Sequence, residues 1–579
     1  MRDRWVVALA VAAAGGAWAA RAVPLWLALA LVAAGFAARR PALLCLGAAV
    51  LASALGARSW AGLVPPVPGP VRGVATLLTD PVEVSGAVRV EVRLGGRRFE
   101  AWGRDRAGAR LAPRLAGERV EVAGRVGPVA DHRRQYLARR HVVGRITVTE
   151  VGGWSPGGGL ARLANGLRRV LIDGAVALPE AQRALFAGLV LGDDRGQSPE
   201  TVDDFRAAGL THLLAVSGQN VAFVLALVAP LLAVLGLRGR LLAGLVVLVV
   251  FGVVTRWEPS VLRAEAMAAV ALLAATLGRE ASTLRALALA VTGLLLVDPL
   301  LVGSVGFLLS CGACTGIAVL APTLARRMPL PVAVTLAAQV GVAPVLVPIF
   351  GGLPVASLPA NLLAVPAAAP VVLWGLAAGL PAGLVGGPIA AAVHLPTRLL
   401  VGWIAGVARW AAALPLGQLG PAHLVGLGGL VALAALAPRT RRLVLGLAIA
   451  VALAPAAAMA RPASADGAEL VPGARLWREA EATVLVLDRP SPGPLLGALR
   501  VAGVRRVGVV VVVSGRGGVP RDLEAVLRRH PAGVVLTPVE AVAGAAVTVG
   551  RLRVDIRAGS PKPVAEVSRC VQVCAGGTR

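Results

Sequence analysis

Residues 209–223 read GLTHLLAVSGQNVAF, which sets His212, Ser217, Gln219 and Asn220 at the head of a long apolar run. Polar groups at membrane depth are costly, so they face a cavity, a partner or a pathway. Gly218, between Ser217 and Gln219, is expected to break the helix and open backbone groups toward such a cavity. The other reading is a capped helix end with a satisfied histidine. Arg263 falls one turn into the segment PSVLRAEAM at 259–267, where a phosphate or a neighbouring carboxylate could pair with it. Glu265, two residues on, lies on another face and is not the obvious partner. Ser310, Gln339 and Asn361 add neutral polarity, the last two near Pro344, Pro348, Pro354, Pro359 and Pro366. That proline density predicts broken or re-entrant segments, which are tolerated only against protein or water. Structural packing is the alternative for these groups too.

Other chemistries lack their residues. A phosphate-cradling loop needs Gly-Lys-Ser/Thr; Lys562, the one lysine, sits in SPKP. Energy from nucleotide hydrolysis must therefore come from a separate protein. Cys311 and Cys314 lie inside an apolar run and read as small packing residues rather than a redox pair. Cys570 and Cys574 would pair only if the C-terminal end faces outside.

The elements that position these residues are membrane helices. Of the 579 residues 57% are hydrophobic and 15% charged, with mean hydropathy +0.76. The apolar residues come in blocks such as 213–237 and 241–254, near the roughly 20 residues that span a bilayer. About thirteen spans are predicted by this length rule. The N-terminus looks like a signal peptide but is followed directly by more apolar cores, so it reads as a retained first helix. The first 60 residues hold three cores, and residues 211–460 a polytopic domain. Arg39-Arg40, Arg238, Arg240, Arg279, Arg326-Arg327 and Arg439 to Arg442 fall on connectors that place themselves inside. Residues 60–160, Arg256, Trp257 and the tail then lie outside. The formal net charge of +27 partly serves topology and could also attract a polyanion or anionic lipid; topology alone is the alternative reading.

Residues 65–155 change character. Alternating runs at 82–94 and 97–102 flank Gly95-Gly96, a hairpin signal, and further runs occupy 118–126 and 144–151. Short strands at this spacing predict a five-stranded barrel of OB type. Arg97, Arg98, Arg104, Arg106, Arg133, Arg134, Arg139 and Arg140 crowd it, with Tyr136 among them. Basic OB grooves bind single strands by stacking bases on aromatics; core packing accounts equally well for Phe99 and Trp102. Residues 160–210 read as amphipathic, interfacial helices carrying Asp193, Asp194, Asp203 and Asp204. The tail, 465–579, alternates strand and helix and reads as a soluble α/β layer.

The segment GL-THLLA-SG, carried by Gly209, Leu210, Thr211, His212, Leu213, Leu214, Ala215, Ser217, Gly218 and Val221, resembles the signature of the ComEC competence family. Asn220 stands where that family usually has His, which puts a titrating role there in doubt. QYLARRHVV at 135–143, PSVLRAEAM, DPLLVGSVGFLLSCGA at 298–313 and the AAQ…ANLLAVP stretch at 337–366 resemble further family segments in the same order. The resemblance implies an inner-membrane channel passing single-stranded DNA, and not an enzyme. Its implied partners are DNA, membrane lipid, an extracytoplasmic DNA receptor, a cytoplasmic ATP-driven motor and a second copy of the chain. It also implies a tail resembling a metallo-β-lactamase domain, whose H-x-H-x-D-H motif is replaced by SGRGG at 514–518. No metal, cofactor or nuclease activity is expected from the tail. The competing reading is a transporter of another anionic or lipid-linked substrate.

Overall fold

The structure, a computed structural model, describes residues 3–84, 86–280, 282–436, 441–459, 465–479, 482–488, 491–513, 521–536, 546–549, 551–557 and 564–569. The SGRGG segment, Arg439, Lys562, Cys570 and Cys574 lie outside the described residues. The chain forms two compact units, one of Met1–Gly196, His212–Phe350 and Asn361–Ile404, the other of Gln197–Thr211, Gly351–Ala360 and Ala405–Arg579.

The first unit opens with α1 (Asp3–Ala19), α2 (Leu25–Ala37) and α3 (Pro41–Ala61). Small residues bring these helices together, since a Cβ on Gly16 would stand 1.9 Å from the Ala49 carbonyl oxygen. Such close backbone approach is how helices associate where lipid removes the hydrophobic drive between them.

A β-domain follows: β1 (Gly69–Leu77), β2 (Val82–Val84), β3 (Ala87–Leu94), β4 (Arg97–Arg104), α4 (Asp105–Leu111), β5 (Arg119–Gly127), α5 (Asp131–Ala138) and β6 (Val142–Ser155). The six strands run β1-β5-β6-β4-β3-β2, and the end of β1 also pairs with β3. The pairing therefore returns on itself, with β4 and β6 parallel and the other neighbours antiparallel. Gly95 and Gly96 both take positive φ at the β3–β4 hairpin, as a two-residue turn of this kind requires. Alternation puts Val90, Val92, Phe99, Ala101, Ile146 and Val148 inside with Leu111 of α4.

The helices α6 (Gly159–Gly174) and α7 (Glu180–Leu191) lead on, and α7 is buried from Leu185 to Leu191. The second unit interposes α8 (Pro199–Ala207). The first resumes with α9 (Gly218–Ala233), α10 (Leu237–Val254), α11 (Pro259–Thr276), α12 (Thr283–Val297), α13 (Val305–Leu324) and α14 (Leu330–Phe350). Gly312, Gly316 and Gly341 seat α13 against α14; a Cβ on Gly316 would lie 2.2 Å from the Ala337 carbonyl oxygen. Next come β7 (Leu353–Pro354), α15 (Ser357–Ala377), α16 (Gly379–Val385), α17 (Gly387–Val393) and α18 (Leu395–Ala413).

Among the described residues six helices are long and apolar enough to cross a membrane, or seven if the pair α17–α18, bent by 50°, counts as one span. The thirteen predicted spans are thus not matched by length: several apolar blocks fold as helices of 17 residues or fewer, such as α2, α9 and α12. Proline corrects another expectation. Helix α14 continues through Pro344 and Pro348, and α15 through Pro366 and Pro370. Each proline removes one backbone donor, which neighbouring helices in a membrane tolerate.

In the second unit β7 pairs with β8 (Gln418–Leu419), and α19 (Pro421–Leu436) and α20 (Arg441–Met459) precede the tail. The tail contains β9 (Ala465–Val471), β10 (Ala474–Glu479), β11 (Ala482–Leu487), α21 (Pro492–Val501), β12 (Val507–Val512), α22 (Arg521–Arg529) and β13 (Ala532–Leu536). Its sheet runs β13-β12-β11-β10-β9, parallel through β11, β12 and β13. The near-continuous apolar strands are explained by burial on both faces. Leu495, Leu496 and Leu499 of α21 cover one face. Leu552 and Val554 cover the other, from a second sheet of β14 (Ala546–Val549), β15 (Leu552–Arg557) and β16 (Val564–Arg569). The strand–helix alternation read from the sequence is present in this sheet.

Candidate functional site

Gly218 does not interrupt a helix, as expected; it begins one. Helix α9 starts there, after Ser217 in extended backbone. The glycine is required by what faces it, because a Cβ on Gly218 would lie 2.3 Å from Nη2 of Arg263 and 2.9 Å from Cβ of Ala264. Ser217 Oγ donates to Asn220 Oδ1 at 3.2 Å, and Asn220 Nδ2 donates to the Leu189 carbonyl at 2.7 Å. Asn220 is only 5% exposed, and it ties the head of α9 to α7. His212 and Gln219 are exposed, His212 in the short 3₁₀ turn Thr211–Leu213.

Arg263 is buried on α11. Its Nε donates to Ser310 Oγ at 2.8 Å, and Nη1 approaches Cys314 Sγ at 2.7 Å and Met267 Sδ at 3.1 Å. Two of the residues singled out for a pathway, Arg263 and Ser310, are thus brought together, with a neutral partner in place of the phosphate or carboxylate considered from the sequence. Gln339 is half-buried on α14 and Asn361 buried on α15.

A second polar centre was not singled out from sequence. Arg168 of α6, 1% exposed, donates to the carbonyls of Leu191 and Val254 at 2.8 and 2.9 Å and to Asp80 and Asp193 at 3.0 and 2.9 Å. Arg256 reaches Asp80 and Asn165, and Arg195 pairs with Asp193. Burial alone would raise Asp80 and Asp193, but the surrounding guanidiniums outweigh it and hold both carboxyls below their ordinary value. Asp194 is pushed up by burial and by the Asp193 charge. Arg256 and Trp257 adopt left-handed backbone, φ 61° and 56°, a conformation costing non-glycine residues about 1 kcal/mol or more each. Trp257 lies over Gly252, where a Cβ would come within 2.4 Å of the ring. The network joins the loop after β1 to α6, the Gly192–Asp193 turn and the end of α10. The signal that could have found it was Asp80 and Arg256 as isolated charges at the ends of apolar runs.

On the β-domain, register aligns Arg125, Thr147, Trp102 and Arg89 in one row across β5, β6, β4 and β3. The guanidiniums of Arg145 and Arg89 lie 4.8 and 6.0 Å from the Trp102 ring centre, and Trp102 Nε1 donates to Glu100. Phe99 belongs to the core; Trp102 is half-exposed outside it. Tyr136 is exposed between Arg133 and Arg140, each guanidinium 5.9 Å away. Arg104, Arg106 and Arg134 are exposed as well. The other basic candidates hold the domain together: Arg133 pairs with Glu100 and Arg140 with Glu91, both at 2.6 Å. Arg97 donates to the Val64 carbonyl, Arg98 to that of Arg140 and Arg139 to that of Gly303. His141 beside it meets Asp298 at 3.1 Å, so the 135–143 and 298–303 segments singled out from sequence lie together.

Long apolar helices with sheet domains before and after them define a polytopic helical membrane protein. Residues 189–441 match the family model described as Competence protein. A 259-residue stretch is 27% identical to ComE operon protein 3 of Bacillus subtilis (strain 168), covering 44% of this chain and 33% of that relative's length. No solved structure matches. Over this central part of its length, less than half of the whole, the chain is similar to competence proteins.

Proposed function

We propose that this protein is the inner-membrane conduit through which single-stranded DNA enters the cytoplasm during natural transformation. The observation carrying the reading is the competence-family match over 189–441, which contains the His212–Asn220 segment and the Arg263–Ser310 contact. Polar side chains held at the head of α9 and on α11 support a hydrated path beside them. The return of strand pairing from β1 through β5, β6, β4 and β3 to β1 supports an OB-like reading of residues 65–155. On that reading the strand meets Arg104, Arg106, Arg134 and Tyr136, and stacks at Trp102 between Arg89 and Arg145. On this reading the chain runs through membrane helices at 1–60, the β-domain, linking helices at 160–210, the polytopic domain at 211–460 and the tail.

The tail carries no cutting activity on this reading, because SGRGG at 514–518 stands where a two-metal site needs His and Asp. An extracytoplasmic receptor delivers DNA and a separate cytoplasmic motor supplies the energy, since the sequence has no lysine-bearing phosphate loop. Transformation frequency in a deletion strain and in its complemented counterpart tests the proposal. Loss in the first and recovery in the second is expected. Equal frequencies in both would favour transport of another anionic substrate.

A further inference from the structure

Helix α8 is fixed at both ends. Ser198 caps its start, accepting from Thr201 N at 3.2 Å, and Pro199 fills the first turn. At its exit Gly209 has φ +68°, and a Cβ there would lie 2.3 Å from Cβ of Ser357. Along the helix Glu200, Asp203 and Asp204 fall three and four residues apart, on one face. All three meet arginines of the tail. Asp203 pairs with Arg500 of α21, whose Nη1 also donates to the Asp203 carbonyl at 3.4 Å. Asp204 pairs with Arg529 of α22, and Glu200 with Arg528 at 2.8 Å.

These pairs differ in consequence. Glu200–Arg528 is a surface pair, Arg528 being 63% exposed, and such pairs contribute little. Asp203 and Asp204 are 1% and 4% exposed, so removing their arginines strands two buried carboxylates, a costly outcome. Around 300 residues separate the partners, so the pairs dock a domain rather than trim a helix. Past Gly209 the chain passes through Leu210 and Thr211 into His212.

We propose that the tail is a positioning arm: Arg500 and Arg529 grip α8 through Asp203 and Asp204, and so fix the point at which the signature segment begins. The grip places α8 and the tail on one side of the membrane, with an even number of crossings between them. Its effect on DNA entry rests on the conduit reading; the grip itself does not.

The test is hydrogen exchange on the full-length protein in lipid nanodiscs, with uptake of labelled DNA measured in cells. In Arg500→Ala and Arg529→Ala, exchange across residues 199–211 should rise by about a hundredfold, while the β-domain stays protected. Uptake should fall with undiminished membrane abundance, Arg529→Lys should recover most of it, and Arg528→Ala should change neither. Unchanged exchange in α8, or an equal rise in the β-domain, overturns the grip. Looser α8 with full uptake overturns the positioning role, provided that deleting the protein abolishes uptake. If deletion leaves uptake intact, the conduit reading fails and the grip is judged on exchange alone.

Discussion

Gly218 and Arg263 meet so closely that no other residue fits at 218 without displacing the guanidinium. An arginine tip ordinarily yields, but Ser310 and Cys314 hold this one, and Ala264 blocks the remaining space at 2.9 Å. Gly218→Val should therefore destabilise the α9–α11 contact by about 1–3 kcal/mol, the usual cost of overpacking. Thermal unfolding of the purified protein checks the loss. Gly166→Ala, at a position with open space around it, should leave the unfolding temperature unchanged or slightly raised.

Arg168 is the second point at which one residue holds several elements. Arg168→Met leaves Asp80 and Asp193 short of a partner in a buried setting, and should cost about 3–5 kcal/mol. Arg104→Ala removes an exposed side chain and should stay within about 0.5 kcal/mol of the parent. Limited proteolysis should show the β-domain released in the first variant and retained in the second.

The same network sets an acid limit. Asp80 and Asp193 have carboxyls held below their ordinary value of 3.8 by the neighbouring guanidiniums. The folded state therefore binds fewer protons there than the unfolded state, so this stabilisation is fully present above the ordinary value. It is lost as pH falls through the depressed folded values. Unfolding midpoints should be flat in this contribution at neutral pH and decline only below about pH 4. A decline beginning near pH 6 would instead implicate a histidine.

Much of this architecture was legible because its causes are local. Gly95-Gly96 between alternating runs specifies the hairpin, and apolar strands around 482–488 and 505–515 specify a sheet buried on both faces. The first strand, β1, was missed because Pro70, Gly69 and Gly73 dilute its alternation. Gly218 was read for its backbone freedom, whereas its role is close approach by α11, which depends on residues 45 positions away. Arg168 gave no signal, since an arginine within an amphipathic helix looks solvated until Asp80 and Asp193 fold around it. Proline density overstated breakage because a membrane helix can lose a backbone donor and continue.

Trp102 offers a test of the β-domain alone among the candidate surfaces. Stacking of a base on an aromatic is worth about 1–3 kcal/mol. Trp102→Ala should weaken binding of a fluorescent single-stranded oligonucleotide to the full-length protein by roughly ten- to a hundredfold. Arg125→Ala should weaken it less and flatten its dependence on salt. Binding unaffected by either change would move the strand away from this face.

Delivery of end-labelled DNA into the cytoplasm tests the conduit most directly, compared among a deletion strain carrying no copy, the wild-type copy and His212→Ala. His212 is exposed, so its removal should spare membrane abundance. The account predicts no labelled DNA inside the deletion strain, full delivery with the wild-type copy and a marked fall with His212→Ala at equal abundance. Parental delivery in the deletion strain would contradict it.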